Sequence, residues 1–304
     1  MKELYPMHGI ITTVLTPFKE DTLEIDLESF CREIHAALDG GVSGFLVPCN
    51  ASEMANLSWE ERLTIVKETV EIVKGRALVL PSVSAGLNMD VDEQCRAYLD
   101  LGVDGVNINI PYTTDEEYYT AVQKVDALKP PFICLQDATR VNSGLPDDLI
   151  VRIFNEIETV RCIKIEVQNS GPKYTRILKA TNGRMNVSGA RESDQMIEGY
   201  DRGIHALMPS GLYELFVSAY RLYHEKSRES AMRLLFDMLP IIVWTRQEMP
   251  LNLYFHKHYL QRIGVFESAA MRQNVNIDEY RRRYAEEMID YAIALKEKLP
   301  EYWK

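Results

Sequence analysis

Apolar residues along this chain follow two alternating patterns. Short continuous apolar runs occur at 10–16, 44–48, 77–83, 105–110, 132–136, 162–166, 185–188 and 206–209. Between them the apolar positions recur at helical spacing, over 26–38, 59–74, 90–101, 115–128, 147–156, 173–181 and 192–202. A continuous apolar run reads as a strand buried on both faces, and the spaced pattern as an amphipathic helix laid against it. Eight such strand–helix units predict a parallel sheet, and eight strands close a barrel.

After Pro209 the periodicity is helical only, at 212–224, 228–246, 249–263 and 276–298. The first of these completes the eighth unit. The predicted architecture is therefore a (β/α)8 TIM barrel over 1–224, with a C-terminal helical segment over 225–304. Local punctuation agrees. Ser58 and Glu61 are spaced as a capping box before the second helix. Gly40, Gly41, Gly102, Gly183 and Gly203 stand where helices need a left-handed stop. A doubly wound open sheet fits less well, because no G-x-G-x-x-G follows the first strand.

Composition narrows the classes. Among 304 residues, 45 Asp and Glu against 34 Lys and Arg give a net charge of −11, which argues against nucleic acid as a partner. Cys31, Cys49, Cys95, Cys134 and Cys162 show no C-x-x-C spacing, so they read as buried thiols in a reduced compartment. No apolar run reaches membrane-spanning length, and the first ten residues carry no apolar signal core. The expectation is a soluble, cytoplasmic protein with no membrane partner.

The chemistry concentrates at Lys164. It interrupts the apolar stretch Arg161-Cys162-Ile163-Lys164-Ile165-Glu166-Val167. Lysine is rarely buried unless it is paired or kept as a neutral amine for reaction with a carbonyl. Glu166 lies two residues on, so both side chains leave the same face of the strand, with Cα atoms roughly 6–7 Å apart. In a barrel the reactive face is the C-terminal rim of the strands. That rim should also carry the segment 49–53, Ser82 and Ser84, Tyr112 and Thr113, Gln136 and Asp137, Ser188 and Gly189, and Ser210. Only one of Gln136 and Asp137 can point inward.

With these residues in place, the chain resembles the N-acetylneuraminate lyase/dihydrodipicolinate synthase family. The matching pieces are Leu15-Thr16-Pro17-Phe18, Gly41-Val42-Ser43-Gly44-Phe45, Ser52-Glu53, Gly102-Val103-Asp104-Gly105, Pro111-Tyr112 and Ile163-Lys164, in family order. The resemblance implies a barrel with a C-terminal helical segment, a homo-oligomer (tetramer or dimer), and a lysine that forms an imine with a 2-keto acid such as pyruvate. It implies no cofactor and no metal. Tyr112 and Glu166 join Lys164 as catalytic candidates. Asn50, Ala51, Ser52, Gln136, Asp137, Ser188 and Gly189 are substrate-binding candidates, the backbone N–H groups near Ala51 and Ser52 being suited to a carboxylate. Arg140 aligns with an arginine that contacts a substrate carboxylate in the synthases.

The departures point to a particular branch. Three positions that carry the synthases' hydroxyl relay fall, by ungapped counting, on Asn50, Thr113 and Leu135. Neither Asn nor Leu does acid–base work. The resemblance is then to members handling 2-keto-3-deoxy sugar acids by dehydration. Retro-aldol cleavage or aldol condensation is the runner-up, and a non-catalytic keto-acid binder is a third class. A metal-dependent lyase lacks the needed cluster at any strand end. His256 and His258, two apart on a helix, do not face one another.

Overall fold

The computed structural model describes residues 4–87, 89–138 and 144–304. Nine strand segments form one parallel ring: β1 (Gly9–Thr13), β2 (Gly44–Leu46), β3 (Leu78–Leu80), β4 (Ser82–Ser84), β5 (Val106–Asn109), β6 (Ile133–Asp137), β7 (Val160–Ile165), β8 (Asn186–Gly189) and β9 (Ala206–Leu207). The order around it is β3-β2-β1-β9-β8-β7-β6-β5-β4. β3 and β4 are two halves of a single stave, divided at Pro81. Proline has no N–H to donate, so an unbroken 77–83 ladder is not available. The lower half pairs with β2 and the upper half with β5, while the Pro81 carbonyl accepts from the Asn107 amide at 2.8 Å. The stave thus joins the two ends of the sheet, and the fold is a (β/α)8 TIM barrel.

The barrel helices are α1 (Leu27–Asp39), α2 (Trp59–Val73), α3 (Val91–Asp100), α4 (Asp115–Asp126), α5 (Asp147–Glu156), α6 (Ser170–Ala180), α7 (Met196–Asp201) and α8 (Tyr213–Arg221). The Ser58–Glu61 capping box starts α2 as its spacing predicts. A π-turn, Leu222–Lys226, leads into α9 (Arg228–Thr245), α10 (Met249–Arg262), α11 (Glu279–Glu297) and α12 (Leu299–Tyr302). The seventh unit departs most from expectation. In place of a helix over 192–202, a 3-10 turn at Arg191–Ser193 precedes the short α7.

Two apolar cores follow from strand alternation. Ile163 and Ile165 of β7 face outward into the strand–helix layer, a core shared with residues of the C-terminal helices such as Met238 and Phe255. Cys162 faces inward, with Ile11, Leu46, Leu80, Cys134 and Ala206, and fills the lower barrel. Tyr5 packs against Phe132 below them, with ring centroids 4.2 Å apart and planes tilted by 36°. Above that plug the inward positions turn polar. Among the described residues, no helix is long and apolar enough to cross a membrane.

Candidate active site

The same alternation that turns Cys162 inward turns Lys164 inward one step higher. The residues beside it in register are Gln136 on β6 and Ser188 on β8. Lys164 is 6% exposed, and its Nζ lies 3.3 Å from Glu166 Oε2. The same oxygen accepts from Gln136 Nε2 at 2.8 Å. Gln136 Oε1 in turn accepts from Asn107 Nδ2 at 2.8 Å, and Asn107 Nδ2 reaches Ser82 Oγ at 3.2 Å. Side chains from β4, β5, β6 and β7 thereby form a hydrogen-bonded ladder across the inner wall, ending on the Lys164–Glu166 pair. Because a carboxylate only accepts, Gln136 must present its NH2 to Glu166 and its carbonyl to Asn107. From Asn107 onward each donor points toward Glu166, which is held as an acceptor beside the amine, while Asn107 also donates the other way to Ser82.

This pair stands in a tight chamber of ≈ 50 Å³. Thr13, Cys49, Ala51, Ser84, Asn109 and Met208 complete much of its wall. The chamber opens outward to a vestibule of ≈ 580 Å³. Asn50, Glu166, Arg191 and Met249 border both spaces. Burial pushes the Cys49 thiol upward, against the opposing effects of its Ser52 hydrogen bond and the Lys164 charge. Cys49 is therefore a neutral wall and not a thiolate nucleophile.

Several predicted residues sit elsewhere. Ser52 is fully buried and its hydroxyl is spent on the loop, donating to the Val14 carbonyl at 2.5 Å and accepting from the Cys49 amide at 3.1 Å. The Ser52 amide donates to the Cys49 carbonyl at 3.0 Å, within the loop, while Ala51 lines the chamber. Asp137 is the outward member of its pair. It meets Lys173 at 2.5 Å and accepts from the Leu145 amide at 2.8 Å. Gly144, at φ 98, clears that contact, since a Cβ there would meet Asp137 Oδ1 at 2.5 Å.

Gly189 also faces outward, where a Cβ would strike Leu207 and the Tyr174 hydroxyl, each at 2.8 Å. Ser188 faces inward but is buried beside Lys164, outside the chamber lining, and its Oγ has no hydrogen-bond partner among the described residues. Tyr112 does not line the chamber. Its hydroxyl donates to Asp115 at 2.7 Å, a bond that raises the phenol above its ordinary value. Leu135 packs into the outer core, so the neighbour of Lys164 on that strand is Gln136. Arg140 lies outside the described residues.

The sequence reading missed Thr13, Asn107, Asn109, Met208 and Met249. β1 ends at Thr13, not at 16, so the rim was placed three residues too far on, and Thr13 Oγ1 in fact donates to Ser210 Oγ at 2.8 Å. Asn107 and Asn109 alternate with Val106 and Ile108, the signal that marked Lys164 and Glu166. Met249 opens α10, beyond the barrel, and nothing in its local sequence marks a site.

Behind the 50–52 turn lies a second charged group. Glu53 and Lys257 form a fully buried ion pair. Lys257 also donates to the Ala270 carbonyl at 2.9 Å and stands 4.4 Å above the Phe18 ring. Glu53 accepts from the Gln273 amide at 2.6 Å and its own amide bonds to the Asn50 carbonyl at 3.1 Å. Burial lowers Lys257 to about 8 despite Glu53. Nearby Glu33 is raised to about 8 by burial, although Tyr213 donates to it at 2.7 Å and the Leu15 amide at 3.1 Å. This cluster braces the turn that carries Asn50 and Ala51. Among the described residues, no group of three or more His, Cys, Asp or Glu is arranged to hold a metal ion.

Comparison with known proteins follows the same outline. The model of the Dihydrodipicolinate synthetase family matches residues 6–288. A 4-hydroxy-tetrahydrodipicolinate synthase from Methanosphaerula palustris is 25% identical over 253 residues, 77% of this chain and 82% of that protein. An uncharacterized DapA-like lyase from Thermofilum pendens is 27% identical over 169 residues, 53% of this chain and 55% of that protein. The chain thus spans about half the length of several curated relatives it matches. The structure of the 4-hydroxy-tetrahydrodipicolinate synthase from Methylacidiphilum fumariolicum SolV superposes with a TM-score of 0.88 at 18% identity, covering 98% of this chain and 99% of that one. At that identity the likeness speaks for the fold.

Proposed function

Because the chain belongs to the dihydrodipicolinate synthetase family and is a lyase of that family, we propose that Lys164 forms an imine with a 2-keto acid and that the protein dehydrates a 2-keto-3-deoxy sugar acid. The observation that carries this reading is Glu166 Oε2, 3.3 Å from Lys164 Nζ and held by Gln136. Glu166 takes a proton from the ammonium, the neutral amine adds to the C2 carbonyl, and the Glu166 carboxyl returns that proton to the departing hydroxyl, which leaves as water from a protonated imine. The carboxylate then removes a C3 proton, giving the enamine. Expulsion of the C4 hydroxyl, protonated by the same carboxyl group, leaves a conjugated imine and one water. Hydrolysis returns Lys164 and the dehydrated keto acid. One carboxylate is enough because the proton it removes from C3 is the proton the departing hydroxyl needs.

The chamber supports the assignment by size. A space of ≈ 50 Å³ suits the small keto-acid head and leaves a hydroxylated tail to the vestibule. Aldol chemistry with pyruvate is the second reading, favoured by relatives named as synthases. It needs a base at the C4 hydroxyl, where Glu166 would have to serve, since among the described residues no tyrosine borders the chamber.

The test is reduction with borohydride in the presence of pyruvate or of individual 2-keto-3-deoxy sugar acids. The peptide containing Lys164 should gain the mass of the reduced ligand, and the productive substrate should lose water without releasing pyruvate. Release of pyruvate would move the assignment to the aldolase reading. Trapping on another residue would overturn it.

A further inference from the structure

The inner chamber and the vestibule share Arg191 and Glu166, so a ligand joined to Lys164 and extending outward passes both side chains. Other charges lining the vestibule have partners: Arg246 pairs with Asp194, Glu248 with Arg281 at 2.5 Å, and Glu166 with Lys164 at 3.3 Å. Arg191 has no salt bridge among the described residues, although Asp194 lies within reach of its field. Its Nε is enclosed by protein and donates to no group there. The backbone at Arg191 is left-handed, at φ 56. A non-glycine residue held that way, with a covered donor unsatisfied, is a form of strain that concentrates at ligand sites.

A second residue carries an independent signal. Asn252 of α10 borders the vestibule and is only 3% exposed, yet its Oδ1 accepts from no group among the described residues. An amide acceptor and a guanidinium lining the same vestibule are complementary contacts for a tail bearing both a hydroxyl and an anion.

We propose that Arg191 and Asn252 form a subsite for the far end of the substrate, which is a hydroxylated 2-keto acid ending in a second anionic group, carboxylate or phosphate. Arg191 takes the terminal anion, and Asn252 accepts from a hydroxyl on the way. The proposal rests on the reading of Lys164 as the imine-forming residue, which fixes the other end of the ligand.

The experiment compares matched probes by the concentration needed for half-maximal borohydride trapping on Lys164. 2-Oxoadipate and 2-oxohexanoate differ only in the terminal carboxylate, and a terminally phosphorylated 2-keto-3-deoxy acid tests the phosphate source. The parent should trap one anionic probe at roughly tenfold lower concentration than 2-oxohexanoate, the scale of one charge-assisted hydrogen bond. Arg191→Gln should erase that preference, while Arg191→Lys keeps part of it. Asn252→Ala should leave the anion preference and weaken only hydroxylated ligands. An anion preference that is missing from the parent, or that survives in Arg191→Gln, overturns the subsite. Calorimetry with adipate and hexanoate, which cannot form an imine, separates the two readings. Arg191-dependent binding of adipate without trapping of any keto acid would keep the subsite and remove the imine.

Discussion

The protein buries two lysines against glutamates, and the two places are built for different ends. Lys257 is 0% exposed and saturated: Glu53, the Ala270 carbonyl and the Phe18 ring occupy its ammonium. Lys164 is 6% exposed, has Glu166 beside it at 3.3 Å, and borders a cavity. Burial pushes Lys257 down to about 8, so protonation alone would recommend it as a reactive amine. Geometry reverses that choice. A nucleophile needs an approach path for the carbonyl and a nearby base to take its proton, and the saturated lysine has no approach path.

Deleting each lysine should separate the roles most sharply. Lys164→Ala should abolish borohydride trapping and turnover while leaving the unfolding free energy within about 1 kcal/mol of the parent. Lys257→Ala should destabilise by about 3–5 kcal/mol in urea unfolding, because Glu53 is left buried without its cation. Trapping should survive in the folded fraction. Equal stability in the two variants would erase the distinction.

Next in size is Glu166→Gln, which should keep imine trapping but lower turnover ~10²–10⁴-fold, the usual contribution of an acid–base group. Parent-rate turnover would return Glu166 to the role that Glu53 has for Lys257. Smaller still is Gln136→Leu, which cuts the ladder one step before Glu166. We expect turnover to fall about tenfold, roughly the value of one hydrogen bond to a charged group, with a displaced limb in the pH–rate profile. An unchanged profile would mean that Glu166 is positioned without the amide.

The mildest test is of pH and stability. Glu33 rises from 4.5 to about 8 on folding, so its contribution is present below pH 4.5 and is lost as pH climbs through 8. Lys257 falls from 10.5 to about 8, so its burial is penalised below pH 8 and relieved as pH rises toward 10.5. Glu33→Gln should remove the first slope, at most ~1.4 kcal/mol per pH unit, and extend the second to lower pH, because the Glu33 charge favours the charged form of Lys257. Denaturant titrations across both windows measure it.

The barrel was legible because its signals are local and repeated. Runs such as 162–166 and 132–136 carry inward and outward faces in their alternation, and Lys164 and Glu166 are visible as polar residues on the inward phase. The same phase contains Gln136 and Asn107, but an amide carries no warning of chemistry until its partners are known. Tyr112, Ser52 and Asp137 were drawn in by position alone. Each is satisfied by a nearby group, Asp115, Val14 and Lys173 respectively, and such pairings depend on packing between elements. Met249, Asn252 and Lys257 could not have been placed, because α10 reaches the barrel mouth from a segment with no repeat to set its register.

The vestibule bears on how this scaffold diversifies. Its walls come from the residues between Thr245 and Asn252, from Arg191, and from Glu166 to Asn169 just past β7, whereas Lys164 is fixed on β7 and Glu166 is tied to β4, β5 and β6 through the amide ladder. On the reading proposed above, the α10 side of the vestibule is thus encoded far along the gene from the reactive strand, while Glu166, Arg191 and Met249 belong to both spaces. If Lys164 forms the proposed imine, a laboratory library confined to codons 245–248 and 252, which line the vestibule but not the inner chamber, should retain borohydride trapping in most of its members.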